Sequence, residues 1–263
     1  MMKTRFFATT LAIVALLGLC ACGETRAPVT ELSQLAKKEF AVPTGTVADQ
    51  LVKAVFPDAR FQYYNSVLDA ALAVKAGKAD AAAYDEPILR NIAARNPGLT
   101  VLPRKITTDE YGFAVRLGEQ ALKDAIDAEV AALRAGGGYQ DMMTRWLPEK
   151  GAPAPMPAIP AGTGDVLRFG TAAITEPFSF RDGSRAVVGF DVELATRVAA
   201  RLGRTLEIVD MEFGAMIPAL MAGKVDMIGA CITITPERAK SVLFSNSYYT
   251  GGISALVRSP SAG

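Results

Sequence analysis

Charged residues follow two apolar stretches of this sequence closely, where a buried strand can hold them in place. Arg238 comes shortly after DMIGACITI, and Asp85 and Glu86 come directly after AAAY. An arginine can grip a carboxylate through two parallel hydrogen bonds, and an aspartate or glutamate can pair with an ammonium group. By composition Asp85 and Glu86 are equal candidates. Arg238 has the alternative interpretation of a surface residue in a first helical turn, where the helix dipole slightly disfavours it.

Histidine is absent from the 263 residues, and the charge is nearly balanced, with 28 Lys and Arg against 27 Asp and Glu. The lack of histidine excludes Ser-His-Asp and Cys-His catalysis and all metal sites that contain histidine. The balanced charge gives no support for binding to nucleic acid or to an acidic membrane surface. We therefore expect no metal, no other cofactor and no nucleic-acid partner.

The first residues are typical of an export signal, with a charged start followed by the apolar run LAIVALLGL, which is too short for a stable membrane span. The run ends in LCACG, which resembles a bacterial lipobox, and Ala21 is the small residue required before a lipidated Cys22. Residues 1–22 are thus predicted to be a lipoprotein signal peptide, and residues 23–32 a tether. The alternative is an ordinary cleaved signal with an incidental cysteine. Either way we expect an exported protein, and lipidation would anchor it to the bacterial membrane facing the periplasm or the cell surface.

The segment 148–165, PEKGAPAPMPAIPAGTGD, is rich in Pro, Ala and Gly and is predicted to be a linker with polyproline character. Strand and helix patterns alternate on both sides of it. Before it, Val47, Leu51 and Val55 recur every four residues, as in a helix with one apolar face. The alternation predicts an α/β fold.

One pair of segments is nearly repeated: ALAVKAGKADAAA at 71–83 and IPALMAGKVDMIGA at 217–230. In both, Gly is expected to end a helix in a left-handed conformation, and an apolar strand follows. The repetition favours two α/β lobes of similar build, each an open, mostly parallel sheet with flanking helices.

Several segments on both sides of the linker form a recognisable set. After the linker these are GFDVELATRVAARLG and EFGAMIPALMAGKVDMIGACITITPERAKSVLFSNSYYT; before it they are FAVPTGT, AGKADAAAYDEP, YGFAVR and GGGYQDMMTRWL. They resemble bacterial extracellular solute-binding proteins of family 3, a family that binds amino acids for ABC importers. The resemblance covers nearly everything after residue 32. It implies a two-lobe clamshell of the type II periplasmic-binding-protein class. Such a protein is a monomer that captures a free amino acid and passes it to the permease subunits of the importer.

The order of these segments is reversed relative to the family, so we interpret the chain as a circular permutant, with tandem fusion of two fragments as the alternative. Residues 33–113 then form a domain like the family's second lobe, and 166–258 one like its first lobe. Residues 114–147 would supply a hinge strand and helices that pack on the other lobe. Only the strand 111–116 would join the lobes, with 254–258 beside it as a severed counterpart.

The resemblance also assigns the ligand contacts. Arg238 would bind the amino acid's carboxylate and Asp85 its ammonium group, while Phe213 would form an aromatic wall, or alternatively fill the core. Cys231 is interpreted as a thiol that lines the pocket rather than a reactive one. The full predicted set is Arg238, Asp85, Thr233, Phe213, Thr46, Cys231, Gly45, Tyr84 and Thr175.

Two departures from the family concern the ligand side chain. Ala172 stands where members that bind polar or cationic side chains carry an aspartate, and Thr175 stands where an aromatic residue stacks. A basic side chain without a carboxylate partner would leave its charge unpaired in a closing cleft, which costs several kcal/mol. The sequence therefore predicts a neutral amino acid.

Two other functions remain as alternatives. One is a cleft enzyme of the same fold, resembling the dehydratases, with Glu176 or Glu86 as general acid. The other is a lipoprotein that senses or scavenges a ligand and transports nothing. Without histidine or a metal cluster, we expect that the protein is not an enzyme.

Overall fold

A computed structural model of the chain describes residues 28–148 and 153–260. The predicted signal peptide and Cys22 lie outside these ranges. Within them, no helix combines the length and the apolar character needed to cross a bilayer.

Strands and helices alternate through both halves of the chain. Before the linker they are β1 (Glu39–Pro43), α1 (Ala48–Val55), β2 (Arg60–Tyr64), α2 (Val67–Lys75), β3 (Ala81–Asp85), α3 (Glu86–Arg95), β4 (Leu99–Val101), β5 (Glu110–Tyr111), β6 (Ala114–Val115), α4 (Gln120–Ala135) and α5 (Gly138–Trp146). After it they are β7 (Gly164–Thr171), β8 (Ile174–Thr175), β9 (Ser179–Arg181), β10 (Val187–Val188), α6 (Phe190–Arg201), β11 (Arg204–Asp210), α7 (Met216–Met221), β12 (Met227–Ile228), β13 (Leu243–Phe244), β14 (Tyr249–Thr250) and β15 (Ile253–Arg258). Three short 3₁₀ helices cover Leu32–Leu35, Phe213–Ala215 and Arg238–Lys240.

Two five-stranded sheets define two lobes. The N-terminal lobe is built on the order β2-β1-β3-β15-β4, and the C-terminal lobe on β11-β7-β12-β6-β13. In each sheet the first three strands are parallel, and the fourth is antiparallel to both of its neighbours. Four of the five strands in each sheet therefore run in the same direction, as expected for mostly parallel sheets, and the fourth strand is the exception. A parallel neighbour needs a crossover within its own lobe, whereas each fourth strand enters directly from the other lobe.

The chain crosses between the lobes twice. The short strands β5 and β14 pair antiparallel, with Tyr111 opposite Tyr249, and lie where the two passages meet. The prediction of a single connection at 111–116 is therefore wrong. So is the placement of 254–258 beside it, since β15 lies between β3 and β4 in the N-terminal lobe. The residues Ile253–Val257 are buried, and such an apolar run fits the interior of a sheet better than an exposed hinge.

The predicted domain boundaries change accordingly. Residues 253–258 leave the domain assigned to 166–258 and belong to the N-terminal lobe. The hinge strand lies at 110–111, and the residues 114–115, predicted as hinge, are instead a strand of the C-terminal sheet.

The helices α4 and α5 pack on the C-terminal lobe. Arg145 and the indole N–H of Trp146 both donate hydrogen bonds to the buried carboxylate of Glu193 on α6, at 2.8 and 2.7 Å. Arg201 at the end of α6 pairs with Glu129 on α4 at 2.7 Å. These contacts join helices that precede the linker to a helix that comes after it.

The described part of the linker runs along the same lobe. The Ala154 N–H donates to the Arg145 carbonyl at 3.0 Å, and the Thr205 hydroxyl donates to the Gly162 carbonyl at 3.0 Å. Met156 packs on the core, partly buried. A proline-rich stretch can take such a path because it needs no regular hydrogen-bonded ladder.

Candidate ligand cleft between the two lobes

Three small adjoining cavities lie in the cleft and together contain all nine predicted site residues. The inner cavity, of about 10 Å³, is lined by seven of them: Thr46, Tyr84, Asp85, Phe213, Cys231, Thr233 and Arg238. A second cavity adds Thr175, and a third adds Gly45. The fold thus gathers residues that are far apart in sequence. Their contact with a ligand stays a prediction.

Arg238 provides the cation of the inner cavity. It begins a short 3₁₀ helix after the strand region of the C-terminal lobe, and one guanidinium nitrogen donates to the Thr233 carbonyl at 3.0 Å. The guanidinium also lies over the Phe213 ring, 5.5 Å from its centre. Burial lowers the pKa of Arg238, although the group stays protonated near neutral pH because an arginine pKa starts so high. The Arg238 guanidinium is therefore a positively charged, partly buried group that is held in place by Thr233 and Phe213.

Asp85 provides the anion, from the opposite lobe. It ends β3 and is buried, and the hydroxyl of Tyr111 donates a short hydrogen bond to it. Burial raises the pKa of Asp85 to about 7, and the Tyr111 bond only partly offsets this. Placed at the hinge strand, Tyr111 ties this carboxylate to the point where the lobes meet.

Glu86, the other acidic candidate, has a different environment. It begins α3 and pairs with Arg90 and Lys105, at 2.6 and 3.1 Å. Partial burial acts to raise its pKa, but these two bases lower it. Glu86 does not line the inner cavity. The structure therefore distinguishes two adjacent carboxyl groups that composition alone could not.

Cys231 has an unusual backbone. Its φ of +47° lies in the left-handed region that few residues other than glycine adopt. Its N–H donates to the carboxylate of Asp191 at 2.9 Å. The buried thiol has a pKa raised well above its usual range, chiefly by desolvation. A thiol that stays protonated is a poor nucleophile, so the geometry favours a lining role over a reactive one.

Asp191 is a functional candidate that lies outside the predicted set of site residues. It lies in the first turn of α6 and is fully buried, and burial raises its pKa to about 7. The Tyr248 hydroxyl lies beside this carboxylate and acts to lower its pKa, which only partly offsets the effect of burial. By holding the Cys231 N–H, Asp191 acts as a positioning residue for the cavity wall. An aspartate directly after Gly189-Phe190 is the sequence signal that could have marked it.

The second cavity of the cleft lies beside the inner one and shares Phe213 with it. Thr175 is buried there and donates its hydroxyl hydrogen bond to the Ala172 carbonyl at 3.1 Å. Ala172 itself is 1% exposed and packs in the apolar core of the C-terminal lobe. Glu212, immediately before Phe213, is exposed and lines this cavity. Ala172 is a position singled out from the sequence, whereas Glu212 lies outside the predicted set.

The lobes are in close contact around these cavities. Arg95 on α3 binds both carboxylate oxygens of Glu176 from the other lobe, at 2.6 and 2.5 Å. The backbones of Gly45 and Gly214 also meet, since a Cβ atom added to Gly45 would lie 3.3 Å from the Gly214 Cα. An inner cavity of about 10 Å³ holds roughly one water molecule. A larger ligand therefore needs the lobes to separate.

An aromatic cluster surrounds the hinge. Tyr111 stacks on Tyr249 of the paired hinge strand at 5.6 Å, and Tyr249 meets the edge of Phe178 at 5.1 Å. Phe190 continues the cluster into α6. These rings give the hinge an apolar packing surface next to the polar cavity.

Residues 167–262 match bacterial extracellular solute-binding proteins, family 3. The match covers the chain after the linker, including Arg238, Thr233, Phe213 and Cys231. The arginine-binding extracellular protein ArtP of Bacillus subtilis is 45% identical over 84 residues, which are 32% of this chain and 32% of that protein. The ABC transporter glutamine-binding protein GlnH of the same organism is 28% identical over 105 residues, 40% of this chain and 38% of that protein.

A solved structure shows a similar match. The arginine-bound form of domain 1 from TmArgBP is 42% identical, covers 36% of this chain and 82% of that chain, and has a TM-score of 0.32. The chain spans about a third of the length of the curated relatives it matches. Both relatives are named as binding proteins, not as enzymes.

Proposed function

We propose that this protein binds a free amino acid between its two lobes for an ABC-type importer. The observation that carries the proposal is the placement of Arg238 and Asp85 from opposite lobes around one cavity. A free amino acid presents a carboxylate and an ammonium group, and these two side chains complement them. The names of the matched relatives agree with this chemistry.

The ligand would then contact both lobes. Arg238 and Thr233 would hold the carboxylate, together with backbone N–H groups near Gly45 and Thr46, and Asp85 would hold the ammonium group. Because the ligand bridges both lobes, it stabilises the closed arrangement over the open one. The hinge at β5 and β14 is the place where the chain can bend.

We infer that the ligand has a basic side chain. This proposal replaces the prediction of a neutral ligand, which was based on Ala172. The relative named for arginine is 45% identical in its matched segment, against 28% for the one named for glutamine. The prediction of a neutral ligand considered only the position of Ala172, whose side chain lies in the core. An acid from another loop can serve the same purpose.

Two architectural proposals accompany this function. The reversed order of segments supports a circular permutant, with its cut inside the N-terminal lobe rather than at the hinge, since Val29 and Val257 pack in one buried cluster there. Lipidation of Cys22 is the second. It predicts that Cys22→Ser releases the protein from membranes and from lipid label, whereas Cys20→Ser does not. A Cys22→Ser protein that keeps the label would contradict it.

The dehydratase-like alternative has less support. Glu86 has a lowered pKa and is paired with two bases, which suits a carboxylate and not a general acid. Glu176 is held by Arg95. A sensing role would be favoured over transport if no permease or ATPase gene lay beside the gene for this protein.

A thermal-shift screen against the free amino acids tests the proposal directly. A ligand at about 100 times its Kd adds roughly 2.7 kcal/mol of stability, which is an easily measured rise in Tm. A protein that responds to none of them would contradict amino-acid binding.

A further inference from the structure

The second cavity of the cleft, which we call the outer chamber, is lined by polar residues that the inner cavity lacks. It has a volume of about 30 Å³ and shares Thr46, Tyr84 and Phe213 with the inner cavity. Because these residues border both cavities, a ligand that enters between separated lobes and is held by Arg238 and Asp85 can extend its side chain past Phe213 into this outer chamber. Its other polar lining residues are Thr44, Asn65, Ser66, Thr175 and Glu212.

Glu212 is the one charged residue among the described residues that line the outer chamber. Its neighbours are hydroxyl groups and an amide from both lobes, which can hydrogen-bond a ligand without opposing its charge. Arg238 stacks on the Phe213 ring, and Glu212 directly precedes Phe213 in the chain. A positive residue and a negative residue therefore flank one aromatic wall.

The other acids near the cleft already have basic partners. Glu86 pairs with Arg90 and Lys105, Glu176 with Arg95, and Asp210 with Arg181. The Glu212 carboxylate, by contrast, forms no ion pair with any described residue within 4.0 Å. It is thus available to a cation from outside the protein.

We propose that Glu212 recognises the positive end of a basic ligand side chain. The inference rests on the proposed function and identifies a specificity residue within it. A side chain that passes Phe213 must be long, as that of arginine is, and its guanidinium would lie at Glu212 once the lobes have separated to admit the ligand. Because Glu212 is exposed, the pair is partly solvated.

L-citrulline is the matched probe, because it has nearly the shape of L-arginine without the charge. We expect the parent protein to prefer arginine over citrulline by roughly tenfold, equal to about 1.4 kcal/mol. Glu212→Gln should remove most of this preference by weakening arginine, and should leave citrulline within about twofold of the parent. Glu207→Gln is the control, because it removes the same charge from an exposed position on β11 that is not among the cleft-lining residues.

Calorimetric titration of both ligands into the three proteins decides the question, with ligand-free Tm values to show that each is folded. If Glu212→Gln keeps the parent's ratio of the two affinities, or if the parent binds citrulline as tightly as arginine, the role of Glu212 is overturned while amino-acid binding stands. If the parent responds to no free amino acid at all, the proposed function falls, and this inference falls with it.

Discussion

The two lobes build the same central turn from nearly the same residues. Gly77 and Gly223 have φ values of +76° and +70°, and the adjoining Lys78 and Lys224 donate their N–H groups back to the helix at 2.9 and 3.0 Å. This is a Schellman-type helix end, which requires a left-handed residue. The near-repeat seen in the sequence is thus one structural unit used twice.

The aspartate after each turn has the same task. Asp80 accepts the Glu39 N–H at 3.0 Å, and Asp226 accepts the Arg168 N–H at 2.9 Å. In both lobes this fixes the turn to the neighbouring central strand. The carboxylate of Asp226 is further bound by the Arg168 guanidinium at 2.8 Å.

The fourth strands also correspond. Arg116, directly after β6, donates to the Val225 carbonyl at 2.8 Å, and Arg258, at the end of β15, approaches the Ala79 carbonyl at 3.5 Å. Each strand enters from the other lobe and ends in an arginine that contacts the glycine turn of the lobe it joins. The glycine turns and the strands around them therefore correspond between the two lobes, including individual hydrogen bonds.

The lobes diverge after the third strand of each sheet. In the N-terminal lobe β3 ends in Asp85 and passes directly into α3. In the C-terminal lobe β12 leads into an irregular segment that contains Cys231 and then reaches Arg238. The N-terminal lobe thus presents an anion, Asp85, and the C-terminal lobe presents a cation, Arg238. Equivalent scaffolds can therefore supply opposite charges to one site when only their loops differ.

The largest expected effect comes from removing either charge. Arg238→Ala and Asp85→Asn should each weaken amino-acid binding by roughly 2–5 kcal/mol, because each leaves one charged end of the ligand unpaired in a closed cleft. Calorimetric titration measures this, with Arg181→Ala as a control that removes an exposed arginine of the C-terminal lobe. Equal affinity of either variant and the parent would remove that residue from the site.

Asp85 should make ligand binding depend on pH, whereas Arg238 should not. The pKa of Asp85 is raised to about 7 by burial, so below that pH the empty cleft holds it protonated. A ligand ammonium favours the ionised form, so binding releases a proton, and affinity should fall by up to about tenfold per pH unit below 7. Asp85→Asn should flatten this dependence. A parent whose affinity is constant from about pH 7.5 to 5.5 would contradict the assignment.

The same shift affects the ligand-free protein. Because the folded-state pKa of Asp85 lies above its unfolded value, its contribution to stability is full below about pH 4 and is lost as the pH rises towards 7. The rise in Tm caused by ligand should therefore grow over this range.

The paired turns predict a similar effect on stability in the two lobes. Asp80→Ala and Asp226→Ala should each lower the free energy of unfolding by roughly 1–3 kcal/mol, because each removes a carboxylate that accepts a backbone N–H of the neighbouring strand. Urea unfolding measures both, and the exposed Asp124→Ala serves as reference. A variant as stable as the parent would show that its turn does not depend on the aspartate.

The smallest expected effect concerns the ion pair that joins the lobes. Glu176→Gln removes the charge that Arg95 binds across the cleft, and Arg95 is 59% exposed, so solvent weakens the pair. Ligand affinity should fall only about twofold to fivefold, through a shift towards the open arrangement. Small-angle scattering of the ligand-free protein should show a slightly larger radius of gyration. Glu237→Gln, whose pair with Lys240 lies within one lobe, should change neither quantity.

Local rules explain the features that the sequence predicted about this protein. Apolar periodicity and glycine turns predicted an α/β fold of two similar lobes, because helix ends and strand patterns depend on neighbouring residues. The resemblance in the segments around Arg238 and Asp85 predicted nine site residues, and all nine line the cavities of the cleft. These features arise from short stretches of chain.

Contacts between distant residues decided the rest. The burial of β15 in the N-terminal sheet depends on β3 and β4, whose paired residues lie 155 to 174 positions earlier in the chain. Asp191 became a support for Cys231, and Glu212 entered the outer chamber, only when separate loops came together. No local pattern encodes such pairings, because the free energy of burial and hydrogen bonding depends on which segments meet in three dimensions.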